Sequence, residues 1–300
     1  MIALDLQDVH KSFGPVRAVD GLSAAVEAGC IYGFLGPNGA GKTTTLRMIV
    51  NILRPDHGTI TLFGNGSSPQ MRNQIGYMPE ERGLYRKMKV RKLLGYFASL
   101  KGVAPGQIRS QVSQWLERVE LAGWADKKVE DLSRGMHQKL QFAVTVINAP
   151  SLLILDEPFS GLDPLNYELL KNLIVQMRSE GKTILFSTHN MHEAETLCDS
   201  ILLINKGKKV LDGTLGAIRN QYQSNSVLLE AEGDMSMLDT LPMTDRVERR
   251  DHLMEVHLKD GYDPQDLLTA IVGKIRIRRF EVKTASLHEI FIRLAGGNHA

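Results

Sequence analysis

Gly36-Pro37-Asn38-Gly39-Ala40-Gly41-Lys42-Thr43 decides the fold of this 300-residue chain. It fits the pattern Gly-x-x-x-x-Gly-Lys-Ser/Thr, a loop whose backbone amides cradle phosphate. Gly36, Gly39 and Gly41 let the backbone take positive φ angles and bring N–H groups close to an anion. Lys42 reaches the β- and γ-phosphates of a nucleoside triphosphate as a point charge, and the Thr43 hydroxyl suits Mg²⁺. Just before the loop, Cys30-Ile31-Tyr32-Gly33-Phe34-Leu35 reads as a buried strand; just after it, Thr44 to Leu53 reads as a helix. The loop thus joins a strand to a helix N-terminus, where the dipole and free amides favour phosphate. The chain is expected to bind a nucleoside triphosphate, against the weaker alternative of a glycine-rich turn with no ligand.

Bulk properties bound the rest. At 43% apolar the chain can bury a sizeable core, and a net charge of +2 gives no global electrostatic case for nucleic acid or anionic membrane. Cys30 and Cys198 lie in apolar surroundings far apart in sequence and are expected to be buried reduced thiols rather than a disulfide. Asp5 and Asp8 interrupt the start, so no secretory signal is expected. The longest uncharged stretch, Leu140 to Leu155, contains Gln141, Asn148 and Pro150 and reads as helix, break and strand rather than a membrane span. A cytoplasmic chain follows as the expectation, with any membrane role supplied by a partner.

Along the chain, Ala3 to Val9 alternates as a half-buried strand does, Gly14-Pro15 turns, and Leu22 to Val26 reads as a second strand. Gly58 to Gly64 and Ile75 to Pro79 give two more short strands. From Val90 to Val146 the apolar spacing becomes helical, punctuated by Gly102, Pro105 and Gly123. Leu152 to Leu155, Thr183 to Ser187 and Ile201 to Ile204 are continuous apolar runs, the mark of parallel strands buried on both faces, with a helix at Leu165 to Arg178 among them. After about Tyr222 the texture changes to short alternating strands, Val227 to Glu232, Leu253 to Leu258 and Ile275 to Val282, with helices at Leu267 to Val272 and Leu287 to Leu294.

Asp156-Glu157 ends the run Leu152 to Leu155. Two carboxylates there, beside a phosphate loop, suit two jobs: Asp156 holds Mg²⁺, through water, and Glu157 orients and polarises an attacking water. An acidic surface turn is the bland reading, and charged pairs seldom end a fully apolar strand without purpose.

From here the chain resembles an ATP-binding cassette (ABC) ATPase, the motor subunit of a membrane transporter, over roughly residues 2 to 220. Phe13 matches the aromatic on which that family stacks adenine; a core phenylalanine near a turn competes with this. Gly36 to Thr44 matches its phosphate loop. Leu132-Ser133-Arg134-Gly135-Met136 matches its signature loop, usually Leu-Ser-Gly-Gly-Gln, with departures at Arg134 and Met136. Ser133 and the Gly135 amide, at a helix N-terminus, would face a γ-phosphate. Asp163, in Ser160-Gly161-Leu162-Asp163-Pro164, matches the loop through which two such ATPases communicate, though alone it reads as a turn before a Pro-started helix. His189 matches the switch histidine; the other histidines have no such context. Glu80 stands where the family has Gln, and a carboxylate there would ligate Mg²⁺ or receive a water proton.

Pro79 to Tyr85, the Arg-Gly-Met variant and Thr284-Ala285-Ser286-Leu287-His288-Glu289-Ile290-Phe291 are similar to ATPase subunits of exporters with a separate permease, including the sodium-export type. The basic run Arg86, Lys87, Lys89, Arg91 and Lys92 reads as a solvated helix face, with permease docking as the minority reading. Arg276, Arg278 and Arg279 alternate with Ile275 and Ile277 on a strand and give poor grounds for nucleic-acid binding. The resemblance implies an α/β fold: a phosphate-loop NTPase core with a largely parallel sheet, N-terminal antiparallel β strands and an inserted helical subdomain at about 85–150. That cassette is expected over 1–220, with a small C-terminal α/β domain over 221–300.

It further implies ATP and Mg²⁺ as cofactors, catalytic roles for Lys42, Glu157 and His189, and metal ligation by Thr43, Asp156 and Glu80. The nucleotide contacts are Phe13, Gly36, Pro37, Asn38, Gly39, Ala40, Gly41, Lys42, Thr43, Thr44, Ser133, Gly135 and Asp163. Partners would be an integral membrane permease, at the inner face of the cell membrane, and a second copy or homologous ATPase. Two rivals remain: a soluble ABC-type ATPase acting on ribosomes or DNA, and a phosphate-loop kinase. The first usually has two cassettes or a long coiled coil, and neither is visible; the second leaves Ser133, Asp163 and His189 unexplained.

Overall fold

The computed structural model describes residues 1–66, 74–81, 83–222, 225–250, 253–283 and 285–296. Two residues of the exporter-like stretches, Arg82 and Thr284, lie outside them. The chain divides into two compact units, Met1–Leu215 and Gly216–Ala300.

In the first unit, β1 (Ile2–Phe13) and β2 (Val16–Glu27) form a long antiparallel hairpin around Gly14. β3 (Ile31–Leu35) runs into the glycine-rich loop and α1 (Lys42–Ile49), which starts two residues ahead of Thr44 because Gly41 itself caps it, and ends short of Leu53. β4 (His57–Leu62) and β5 (Asn65–Gly66) join β1 and β2 in a four-stranded sheet ordered β2-β1-β4-β5. β6 (Ile75–Met78) leads to the helices α2 (Val90–Leu100), α3 (Pro105–Arg118) and α4 (Arg134–Val146). These pack through Leu93, Leu94, Val112, Leu116 and the edge-on pair Trp115–Phe142, because the apolar residues recur at helical spacing.

β7 (Leu152–Asp156), α5 (Pro164–Ser179), β8 (Thr183–Thr188), α6 (Met191–Leu197), β9 (Ser200–Asn205) and β10 (Lys208–Thr214) complete the unit. The second sheet is ordered β10-β9-β3-β8-β7-β6, parallel except for the β9–β10 hairpin. Its central strands are buried along their whole length, which is why their sequences are uninterrupted apolar runs. Helix α1 lies between the two sheets, and its Leu46, Met48 and Ile49 share one core with Leu4, Leu6, Phe34, Ile154 and Leu185.

In the second unit, helix α7 (Leu215–Gln221) precedes β11 (Ser226–Glu232), a short 3-10 helix (Met235–Thr240), β12 (Thr244–Arg250), β13 (Leu253–Leu258), α8 (Pro264–Ile271), β14 (Arg276–Lys283) and α9 (Leu287–Gly296). The antiparallel sheet runs β12-β13-β11-β14, the split β-α-β-β-α-β arrangement with the 3-10 helix in the first helical position. Val227, Leu229, Val256, Leu267 and Ile271 form its separate core.

Two sequence expectations need correction. Both cysteines are free, but only Cys198 is buried; Cys30, at the entry to β3, is half-buried. The basic run is exposed as expected, yet only Arg91 and Lys92 lie on α2; Arg86 and Lys87 precede it in a turn, and Lys89 is its extended N-cap. Among the described residues, no helix is long and apolar enough to cross a membrane.

Candidate functional site

Parallel strands deliver their carboxyl ends to one edge of a sheet, and ligands bind in the crevice beyond those ends. β3 ends in the glycine-rich loop, β7 in Asp156-Glu157, β8 just before His189, and β6 just before Pro79-Glu80. A cavity of about 540 Å³ opens there, lined by Phe13, Ala18, Asn38 to Thr44, Glu80, Glu157, Ser160 and His189.

The loop's backbone explains its glycines. Gly36 sits at φ 149° and Gly41 at φ 108°, and a Cβ at either would lie 2.1 Å from Ile204 O or 2.3 Å from Ala18 O. Gly41 caps α1 without any side-chain hydrogen bond and no acid occupies the first turn, so the helix amides stay available to an anion. Gly36 and Pro37 do not line the cavity; their carbonyls accept from Lys42 Nζ at 2.7 Å and 3.3 Å. Lys42 is 6% exposed and lies 3.7 Å from Glu157 Oε1. Burial pulls its ammonium below the ordinary value, while Glu157 and Asp156 oppose that. The negative charge of a triphosphate would favour the charged form further.

Asp156 is buried. Its Oδ1 accepts from Thr43 Oγ1 at 3.2 Å and from Ser187 Oγ at 2.5 Å, while Oδ2 has no partner among the described residues. A buried carboxylate oxygen without a donor, beside a Thr hydroxyl, fits a hard divalent cation. Glu157 takes φ +49°, a region few side chains adopt, and its N–H is held by Ser187 Oγ at 3.1 Å. That turn swings the carboxylate off the strand axis into the cavity, where both oxygens stand 3.1 Å from His189 Nδ1.

Phe13 is 48% exposed at the end of β1, so it is no core residue, and it stands on the cavity wall. Ser133, Gly135 and Asp163 do not line this cavity. Ser133 Oγ caps α4 by accepting from Met136 N, and Asp163 Oδ1 caps α5 by accepting from Leu165 N and Asn166 N. Ser187, absent from the sequence candidates, holds the Asp156 carboxylate and the Glu157 backbone; its only sequence signal is its place at the end of an apolar strand, two residues before His189.

Residues 19–160 match the family described as ABC transporter, and residues 213–295 match the C-terminal domain of DrrA1-3-like ATP-binding proteins. The ABC transporter ATP-binding protein YhaQ of Bacillus subtilis is 41% identical over 98% of both chains. The chain belongs to the ABC transporter ATP-binding subunits. Nod factor export ATP-binding protein I of Cupriavidus metallidurans is 37% identical to this ABC subunit, over 98% of the chain and 97% of the relative. A solved ATP-binding subunit of an ABC transporter superposes with TM-score 0.68 at 29% identity, covering 73% of this chain and 93% of that one. The ABC ATPases hydrolyse ATP, and this ABC subunit carries the fold they share: an α/β unit with a mixed sheet and N-terminal antiparallel strands.

Proposed function

We propose that this ABC subunit hydrolyses Mg-ATP at a site closed by a second ATPase, and that turnover drives export through a separate permease. The observation that carries the site reading is the Glu157 carboxylate, held between His189 Nδ1 and Lys42 Nζ inside the phosphate-loop cavity. Adenine stacks on exposed Phe13 and the phosphates lie along the Asn38 to Thr44 amides. Lys42, released from the Gly36 and Pro37 carbonyls, meets the β- and γ-phosphates. Thr43, the free Oδ2 of Asp156 and Glu80 would hold Mg²⁺, which when bound neutralises phosphate charge. Glu157 accepts the proton of the attacking water; His189 orients that carboxylate and contacts the γ-phosphate.

The Ser133 and Gly135 loop and Asp163 serve the neighbouring ATPase's nucleotide. Relatives named for Nod factor export support the export direction, and the basic and aromatic surface around Tyr85 to Lys92 is the candidate permease contact. Residues 1–220 form the cassette in this reading, and 221–300 an accessory domain. Glu157→Gln should bind ATP normally and lose turnover by on the order of 10²–10⁴-fold. Wild-type turnover in that variant would remove Glu157 from its role. Pull-down with an integral membrane protein supports the transporter reading; recovery with ribosomes or nucleic acid instead would overturn it.

A further inference from the structure

Two pieces that the proposed function assigns to the neighbouring nucleotide, the Ser133–Gly135 loop and the turn that carries Asp163, touch each other within one chain. Gly135 opens α4 and is buried. A Cβ built on it would lie 2.9 Å from Asn166 Nδ2, closer than side chains pack, and 3.6 Å from Asp163 Oδ2. Asn166 is not free to move aside: its Nδ2 donates to Asp163 Oδ2 at 2.5 Å and its backbone N–H to Asp163 Oδ1 at 3.0 Å. These donors hold the Asp163 carboxyl below its ordinary range, so it stays charged. On the far side, a Cβ on Gly161 would lie 3.4 Å from Arg134 Cδ. Arg134 and Gly135 thus bracket the turn that carries Asp163, with the side chain of Asn166 wedged between the two helix starts.

We propose that Asn166 is a positioning residue that locks the Ser133 loop to the Asp163 turn, so that each subunit presents both to its neighbour as one rigid piece. Gly135 is then glycine because Asn166 occupies the space of its side chain, while its amide stays open to the neighbouring nucleotide. Dipole and amides at the α4 N-terminus act on the nucleotide only if α4 is held at the right distance, and small displacements of positioning groups cost large factors in rate. The inference rests on the two-subunit site described above, but the lock itself lies inside a single chain.

The test uses the full chain carrying Asn166→Ala, Gly135→Ala or both, with ATP affinity of the monomer, kcat, KM and Tm measured for each. Asn166→Ala should leave monomer ATP affinity within about twofold of wild type and lower kcat on the order of tenfold. Gly135→Ala should lower kcat further and reduce Tm, because Asn166 is pushed off Asp163. In the double variant the new methyl finds the vacated space, so kcat and Tm should return to those of Asn166→Ala. Asn166→Asp, equal in size but repelled by Asp163, should behave as Asn166→Ala. A double variant whose kcat falls below both singles would show that the methyl at Gly135 harms turnover independently of Asn166 and would overturn the lock, as would wild-type kcat in Asn166→Ala. Full wild-type turnover as a monomer would instead remove the two-subunit site while leaving the Tm coupling intact.

Discussion

His189 can serve Glu157 only if the turn that carries it is fixed, and a second glutamate does that fixing. Thr188 Oγ1 donates to Glu193 Oε2 at 2.6 Å, Asn190 Nδ2 donates to Glu193 Oε1 at 3.2 Å, and Asn190 N–H donates back to Thr188 Oγ1 at 3.0 Å. Glu193 takes both donors only as a carboxylate or its near equivalent. Burial pushes its carboxyl up from 4.5, against the Thr188 hydrogen bond, and the Glu157 charge adds to the rise. The folded chain therefore holds this proton more tightly than the unfolded chain. The residue costs stability above its folded pKa, and the cost vanishes as pH drops below 4.5. Glu193→Gln removes the charge and one acceptor, since Thr188 and Asn190 donate to different carboxylate oxygens and the amide nitrogen replaces one of them. Its kcat should fall several-fold with KM little changed. Its Tm relative to wild type should improve between about pH 4 and about pH 7. A Tm difference that does not change with pH would show that Glu193 ionises as readily in the folded state as in the unfolded one, and one that moves the other way that it ionises more readily.

Elements differ in how plainly the sequence announces them, and burial is the reason. β7 and β8 lie inside a parallel sheet covered on both faces, so their middles had to be apolar and the runs Leu152 to Leu155 and Ile184 to Phe186 are unmistakable. β12, Thr-Asp-Arg-Val-Glu-Arg-Arg, carries no such pattern: it is an edge strand whose Arg246 and Glu248 face His257 and Glu255 across the pair, leaving Val247 as its contact with the core. The site divides in the same way. Lys42, Asp156 and His189 were legible because each follows a buried strand in a recognisable motif. Ser187, Glu193 and Asn166 were not, because their work is hydrogen bonding to other site residues, which no spacing in the sequence encodes. The energetic contrast follows from the same burial. Ile154→Ala, at a fully buried position of β7 between helix and sheet, should cost about 2–5 kcal/mol of the first unit's unfolding free energy. Val247→Ala, on a half-buried edge, should cost about 1 kcal/mol and act only on the second unit's transition. Denaturant unfolding followed by probes in each unit measures both, and equal costs would contradict the ranking by burial.

At the scale of the whole molecule, the proposed function asks of one chain every piece of an ATP site, and a single chain does not assemble them in one place. The cavity gathers Phe13, Lys42, Thr43, Glu80, Glu157 and His189, while Ser133, Gly135 and Asp163 lie outside its lining. Head-to-tail pairing about a two-fold axis repairs this twice over, since one self-complementary surface supplies both missing halves. The consequence is kinetic. In that reading a single chain can bind ATP, and pairing adds the partner's Ser133 and Gly135 to the nucleotide, so by linkage ATP affinity should rise with protein concentration. Hydrolysis in the proposed two-subunit site needs groups of both chains, so specific activity should rise with protein concentration and level off once the chains are paired. Ser133→Ala and Glu157→Gln separate the halves further: each variant alone should be nearly inactive. Mixed, they form heterodimers in which one site carries both changes and the other neither, so activity should return to roughly a quarter of wild type, half of the chains pairing across types and half of those sites being intact. Activity in the mixture no greater than the sum of the separate variants would place Ser133 and Glu157 in the same site, and the two-subunit arrangement would have to be abandoned.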